Sequence, residues 1–258
     1  MQTVLTIAGS DSSGGAGIQA DIKTMTAYGV YGMSVLTSVT AQNTCGVTEV
    51  QTLSGGMVSA QLQAVLADIK PDVIKIGMLG NGEVASAVAD SLSSYPDIPI
   101  VIDPVILSTS GHALLDEHGQ QTLLDILFPM ATLITPNIPE SEWISHEKIT
   151  SASDMEHIAK NLYDRFGCAV LIKGGHLSET ADDLLYDGKA TWFSGTRIAC
   201  ENTHGTGCTL SSAIASALAL EYSLPEAVSS AKEFVRGAMS TGLDLGQGNG
   251  PLNHCWNL

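Results

Sequence analysis

The residues best placed to do chemistry lie at 202–209, Asn202-Thr-His-Gly205-Thr206-Gly207-Cys208-Thr209, just ahead of a small, apolar run of high helix propensity. Gly205 and Gly207 let backbone approach a ligand closely. The N–H groups from Gly205 to Cys208 would converge at the positive end of the following helix. Such a place suits an anion, and in particular the charge developing on a transferring phosphoryl group. The helix end is expected to draw the Cys208 thiol pKa down from about 8.5, towards thiolate. A lone cysteine at a helix start is more often a buried small residue, but this glycine frame favours function.

A second glycine-rich segment runs from Gly9 to Asp21, between the first expected strand and the first expected helix. Gly15–Ala20 fits G-x-G-x-x-A, the dinucleotide fingerprint. That fingerprint needs an acidic residue about 20 positions on to hold a ribose, and no Asp or Glu occurs between Asp21 and Glu49. There is no Gly-Lys-Ser/Thr either. The segment therefore reads as a ligand loop of another type, with Asp11 and Asp21 adding polarity beyond what a turn requires.

Three more clusters fall at the ends of expected strands, where parallel sheets bind ligands. They are Asp103-Pro-Val, Thr135-Pro-Asn137-Ile-Pro-Glu140 and Lys173-Gly-Gly-His176. Asp103 and Glu140 could hold Mg²⁺ through waters, as that ion is usually held beside phosphates. Each could equally be a cap or a first-turn residue; their joint placement favours a site. Lys173 is the only one of eleven basic residues inside a Gly-Gly loop, which makes it the natural phosphate partner.

These groups need a scaffold. Short apolar runs at Thr3–Ala8, Ser34–Thr40, Val73–Gly77, Ile98–Ile102, Thr132–Ile134 and Ala169–Ile172 alternate with amphipathic stretches. Helices are expected near Ala16–Tyr28, Gly56–Ile69, Gly82–Ser93, Asp116–Phe128, Ser153–Phe166, Thr206–Glu221 and Glu226–Thr241. A hairpin is expected around Asp187-Gly188. The pattern predicts an α/β fold, a three-layer α/β/α sandwich on a mostly parallel sheet, as one domain over residues 1–258.

Composition narrows the function. With 27 Asp+Glu against 11 Lys+Arg, the net charge of −16 disfavours nucleic acid and anionic membranes as partners. Five scattered cysteines without a C-x-x-C pair suit reduced thiols. With no leader-like or spanning run, the expected address is the cytoplasm. The seven histidines show no metal-ligand spacing, His146-Glu147-Lys148 reads as solvated surface, and Cys168 reads as core.

Taken together, A-G-S-D-S-S-G-G-A-G-I-Q-A-D near the start, T-A-Q-N-T at 40–44, K-I-G-M-L-G at 75–80, D-P-V at 103–105, T-P-N-I-P-E at 135–140, K-G-G-H-L at 173–177 and N-T-H-G-T-G-C-T at 202–209 closely resemble one family. It is the hydroxymethylpyrimidine kinase/hydroxymethylpyrimidine-phosphate kinase family of the ribokinase-like superfamily. The resemblance covers almost the whole chain, and the set of motifs in order is specific where each alone is weak. It implies ATP- and Mg²⁺-dependent phosphorylation of 4-amino-5-hydroxymethyl-2-methylpyrimidine, then of its monophosphate, in thiamine biosynthesis. It also implies a homodimer. On this reading Gln42 bonds the pyrimidine edge, with Gly9, Asp21 and Met78 lining the same pocket. Asn137 and Glu140 serve Mg²⁺ and nucleotide phosphates, Lys173 serves the phosphates, and Gly205, Thr206, Gly207 and Cys208 form the anion hole. Lys232 matches a lysine on the nucleotide side.

Chemistry suggests a division of labour for Cys208. Loose phosphoryl transfer needs positioning and charge stabilisation more than a strong base. Cys208 is expected to position or deprotonate the hydroxymethyl group in the first step, and to matter less when the acceptor is already a phosphate. The nearest alternative is a pyridoxine or pyridoxal kinase of the same superfamily, against which the amide of Gln42 argues. A dinucleotide oxidoreductase and a non-catalytic pyrimidine binder are more distant alternatives.

Overall fold

A computed structural model describes every residue except 107–113, 176–180, 196, 197, 199, 201 and 242. His176 and Leu177 of the lysine motif thus lie outside the described residues. The strands are β1 (Thr3–Asp11), β2 (Tyr31–Asn43), β3 (Gly46–Thr52), β4 (Val73–Ile76), β5 (Ile100–Ile102), β6 (Leu133–Ile134), β7 (Ala169–Ile172), β8 (Asp183–Tyr186) and β9 (Ala190–Phe193). They form one sheet in the order β3-β2-β1-β4-β5-β6-β7-β8-β9. The six strands from β2 to β7 pair parallel, and β3, β8 and β9 extend the sheet antiparallel at its edges.

Side-chain alternation sorts the core onto two faces. Leu5, Ile7, Ile74, Ile76, Ile102 and Ile172 pack under α2 (Gly55–Asp68), α3 (Gly82–Leu92) and α7 (Ala152–Phe166). Val4, Val73, Val101, Leu133 and Leu171 pack under α1 (Gly17–Ala27), α8 (Thr206–Ala219) and α9 (Leu224–Ser240). Each fully buried Leu or Ile contributes about 1.5–3 kcal/mol of transfer free energy, so both faces of the central strands are held firmly. In α8, ten residues are buried and most are Ala or Ser, which lets it sit closely between α1 and α9 over the sheet centre.

The chain leaves β1 for β2 on one side and returns to β4 on the other. That reversal opens a crevice at the carboxyl ends of β1 and β4, the usual ligand position in open α/β sheets. Three features depart from the sequence reading. β3 is an exposed edge strand whose two apolar residues, Val47 and Val50, lie three apart, so the sequence carries neither an apolar run nor a period-two signal there. A helix α6 (Ile138–Ser145) follows β6, started by a capping box between Asn137 and Glu140 that was legible as N-x-x-E. The helix expected over Asp116–Phe128 is divided into α4 (Glu117–Thr122), a π-helical turn Leu123–Leu127 and α5 (Phe128–Met130). Pro129 lacks an N–H and crowds the preceding turn, which the wider turn accommodates.

Candidate active site

The carboxyl ends of β5, β6 and β7 bring the three strand-end clusters together. The Asp103 N–H bonds Ile76 O across the sheet, and Thr135 Oγ1 donates to Asp103 Oδ1 at 3.2 Å. Lys173 N–H donates to Pro136 O, prolonging the β6–β7 pairing as far as an Asn137–Lys173 bridge. Asn137 Oδ1 accepts from Glu140 N–H at 2.8 Å, and Glu140 Oε2 accepts from Asn137 N–H at 2.7 Å. This holds the Glu140 carboxylate beside the strand ends. Lys173 Nζ lies 2.7 Å from Asp103 Oδ1 and 4.0 Å from Glu140 Oε2.

The three groups are nearly closed to solvent, and their electrostatics follow. Burial pushes the Glu140 carboxyl up to about 7; Lys173 opposes the rise and the Asp103 charge adds to it. Burial alone would lower the Lys173 pKa, but Asp103 and Glu140 outweigh it and hold the ammonium charged. An added Cβ on Gly207 would stand 3.2 Å from Asp103 Oδ2 and 3.5 Å from Lys173 Nζ. The ion pair therefore rests against the first turn of α8.

That turn is assembled by contact between the two glycine loops. Gly205, the N-cap, adopts φ +83°, and a Cβ there would collide with Gly15 O. The N–H groups of Gly207 and Cys208 have no carbonyl four residues back inside the helix, so they are available to an anion. The facing loop is organised by Asp11, whose carboxylate accepts from Ser13 N–H and Oγ, Gly15 N–H and Ala16 N–H, and has His204 Nε2 2.8 Å from Oδ2. Replacing Gly205 with alanine should lower kcat/KM by about a hundredfold, since displacements near 1 Å cost that much in phosphate positioning. It should also lower the melting temperature. Wild-type turnover by this variant would show that the two loops need not meet.

Cys208 lies where two helix N-termini converge, in the first turn of α8 and accepting a hydrogen bond from Gly17 N–H at the start of α1. Its expected low pKa is corrected by the structure. Burial pushes the thiol up to about 11; the Lys75 charge and the Gly17 bond act the other way, while Asp21 and Asp103 add to the rise. Desolvating the thiolate costs more than the helix ends return.

Asp21, expected to line the pocket, is placed beneath it instead. Its carboxylate is 0% exposed and is fully engaged by Lys75 Nζ at 2.9 and 3.0 Å, Thr6 Oγ1 at 2.6 Å and Ser212 Oγ at 2.6 Å. It anchors α1 and α8 to the sheet and leaves no atom for a substrate. Its partner Lys75, also 0% exposed, was not singled out by sequence reasoning, because a lysine inside an apolar strand carries no spacing signal. Gly9 and Met78 do come together: an added Cβ on Gly9 would stand 2.6 Å from Met78 Cε. Gly9 O also abuts Gly17, so this pair borders the Cys208 neighbourhood.

Gln42, near the end of β2, stands 3.3 Å from His204 Nε2, and Ser12 Oγ ties its backbone at 2.8 and 2.9 Å. His204 carries no metal-ligand spacing, and its one signal in the sequence is adjacency to Gly205. Lys232 on α9 bonds Asp183 Oδ2 at 2.6 Å and Ala181 O at 2.7 Å. Asp183 Oδ1 in turn accepts from Gly174 N–H, so Lys232 is linked to the residue after Lys173. Two surface clefts, one lined by Gly55, Glu83 and His118 and one by Trp143, His146 and Lys148, hold none of these groups. No group of three potential metal ligands occurs among the described residues. Asp103 and Glu140 form an oxygen pair suited to a hard cation held partly through water.

The family model described as phosphomethylpyrimidine kinase matches residues 11–253. The hydroxymethylpyrimidine/phosphomethylpyrimidine kinase of Rhizobium meliloti is 46% identical over 255 residues, covering 97% of this chain and 96% of that one. The thiamine biosynthesis bifunctional protein ThiED of Geobacter sulfurreducens is 46% identical over 98% of this chain, which spans about half, 52%, of that longer protein. Among solved structures, the ADP complex of Bacillus subtilis pyridoxal kinase superposes with a TM-score of 0.90 at 37% identity, covering 98% of this chain and 97% of that one.

Proposed function

The chain belongs to the phosphomethylpyrimidine kinase family, and from that premise we propose that it transfers the γ-phosphoryl group of ATP to hydroxymethylpyrimidine, and then to its monophosphate. The observation that carries this reading is the Asp103–Lys173 ion pair seated on the open first turn of α8, beside Cys208. A phosphoryl group over Gly205–Cys208 would receive backbone N–H groups on one side and the Lys173 ammonium on the other. Lys173 can swing from its carboxylates to the phosphates without leaving the strand end. Gln42, Gly9 and Met78 would line the pyrimidine, orienting its hydroxymethyl oxygen towards Cys208. The neutral thiol suits a positioning role at that oxygen better than a general base.

Asp103 and Glu140 would hold Mg²⁺, with Asn137 near the nucleotide phosphates and Lys232 farther along the nucleotide side. When bound, the ion would neutralise phosphate charge and orient the leaving group. A protein with a net charge of −16 has no general basic surface to attract a tetra-anion. ATP affinity should therefore fall by more than about tenfold when Mg²⁺ is chelated, a difference of about 1.4 kcal/mol or more. Calorimetry with and without EDTA measures it, and equal affinities would remove the ion from this account. The same reading includes one kinase domain, cytoplasmic residence and a homodimer; exposed Val39, Val47 and Val50 on the β2–β3 edge support the last.

The deciding experiment is turnover with ATP on the pyrimidine alcohol, its monophosphate, and pyridoxal. Phosphorylation of both pyrimidines, in preference to pyridoxal, is expected. Preference for pyridoxal would move the chain to the neighbouring specificity.

A further inference from the structure

The Asp11–His204–Gln42–Thr40 chain leaves a question of donors and acceptors that has one consistent answer. Thr40 Oγ1 has a single proton and lies 2.7 Å from Ser10 O, an acceptor only, so the proton goes there. Its lone pairs then face the Gln42 amide atom 3.2 Å away. On the other side, Asp11 accepts from four donors, Ser13 N–H and Oγ, Gly15 N–H and Ala16 N–H, and so is an ionised, acceptor-only carboxylate. His204 Nε2, 2.8 Å from Asp11 Oδ2, must therefore carry a proton. The Gln42 amide atom 3.3 Å from that same nitrogen accordingly faces a donor.

An amide with its nitrogen at His204 and its oxygen at Thr40 would set donor against donor and acceptor against acceptor. Turning the amide by half a turn cures both conflicts without moving a heavy atom, because amide O and N occupy nearly equivalent positions. Oε1 then shares the His204 N–H, and Nε2 donates to Thr40 Oγ1. The second N–H and the second lone pair of the amide remain for a ligand.

We infer that His204, held by Asp11, is a positioning residue that locks the Gln42 amide in one orientation, and that this lock discriminates an aminopyrimidine from a pyridoxal-type ring. The inference rests on the reading that Gln42 meets the substrate ring. In the pyrimidine, the position beside the hydroxymethyl arm bears an amino group, a donor, with the ring nitrogen, an acceptor, next to it. Pyridoxal bears a formyl oxygen beside its arm, an acceptor. A freely turning amide accommodates either ring. A locked one presents its carbonyl and its N–H at set places and leaves the wrong ring with unmatched polar groups. Packing supports the lock, since an added Cβ on Gly15 would stand 2.5 Å from His204 Cδ2 and 3.2 Å from Pro251 Cβ. The imidazole is thus confined between the first glycine loop and the C-terminal segment.

The test is a double-mutant cycle on Gln42 and His204, read as KM, kcat and the ratio of kcat/KM for pyrimidine alcohol to that for pyridoxal. His204→Phe keeps the ring volume and removes the donor. It should raise the pyrimidine KM with a smaller change in kcat and lower the ratio by about tenfold, the upper scale of one net hydrogen bond. His204→Gln, which restores an N–H at similar reach, should recover part of the ratio. Thr40→Val, on the far side of the amide, should act in the same direction and guards against misfolding of the histidine variant. Gln42→Leu should lower the ratio by itself, and adding His204→Phe to it should change little further. An effect of Gln42→Leu with no effect of His204→Phe, or additive effects in the pair, would overturn the lock while leaving Gln42 in the pocket. A Gln42→Leu variant with an unchanged ratio would overturn the Gln42 reading itself, and the lock with it.

Discussion

Cys208→Ser should phosphorylate the pyrimidine alcohol about a hundredfold more slowly, the scale of a lost positioning or proton-handling group, while phosphorylating the monophosphate within a few-fold of wild type. The asymmetry follows from the acceptors. An alcohol must be aimed at the phosphorus and must lose its proton during transfer, whereas a phosphate is already an adequate anionic nucleophile. Cys208 sits in the first turn of α8, against the start of α1 and within the field of Lys75, where on the proposed reading it faces the acceptor oxygen. Since burial pushes its thiol up to about 11, the sulfur stays protonated from pH 6 to pH 9. Iodoacetamide should then modify it slowly across that range, with no rise centred near the ordinary thiol pKa of about 8.5. Equal losses in the two steps would remove the special role of the thiol in the first. An alkylation midpoint at or below the ordinary value would restore the thiolate.

Lys75→Met should be the most destabilising single change in the site region, by about 3–5 kcal/mol, because it strands the buried Asp21 charge. For a chain of this size that corresponds to a melting point lower by about 6–20 °C. Both side chains are 0% exposed, so no water can replace the lost ammonium. Thr6 and Ser212 would still donate to Asp21, but two neutral hydroxyls do not balance a carboxylate in a medium of low dielectric. Adding Asp21→Asn should recover at least half of the loss, since the amide is neutral: its oxygen keeps accepting from one of the two hydroxyls, and its NH2 donates to the other, whose proton can turn away. Thermal melts of the two single variants and the pair measure the coupling. Additive losses would show that the pair is not a unit. A further consequence concerns the thiol: Lys75 pulls the Cys208 pKa down, so its removal makes the thiolate still less accessible.

Much of this molecule could be read before any coordinate. Period-two and continuous apolar patterns located β1, β4, β5 and β7, because strands buried on both faces are apolar at most residues, with Thr6 and Lys75 the buried exceptions that Asp21 requires. Glycines at 205 and 207 followed by a helix-forming run located the start of α8, whose first N–H groups have no internal partners. Edge strand β3 escaped, since an exposed strand needs no apolar residues. Helix α6 escaped although its capping box was spelled out in Asn137 and Glu140.

What the sequence could not determine are properties that depend on distance between remote residues. Asp21 reads as a pocket residue along the chain, but folding surrounds it with Lys75, 54 positions away, and Ser212, 191 positions away. Cys208 reads as an activated thiol at a helix start, but the packing of α1, α8 and the sheet removes the water a thiolate would need. His204 reads as one histidine among seven, and only the meeting of the two glycine loops gives it Asp11 and Gln42 as partners. Local pattern selects backbone conformation because its interactions are near in sequence. Charge state and hydrogen-bond partnership are set by solvent exclusion and by contacts across the fold, and only the tertiary structure decides them.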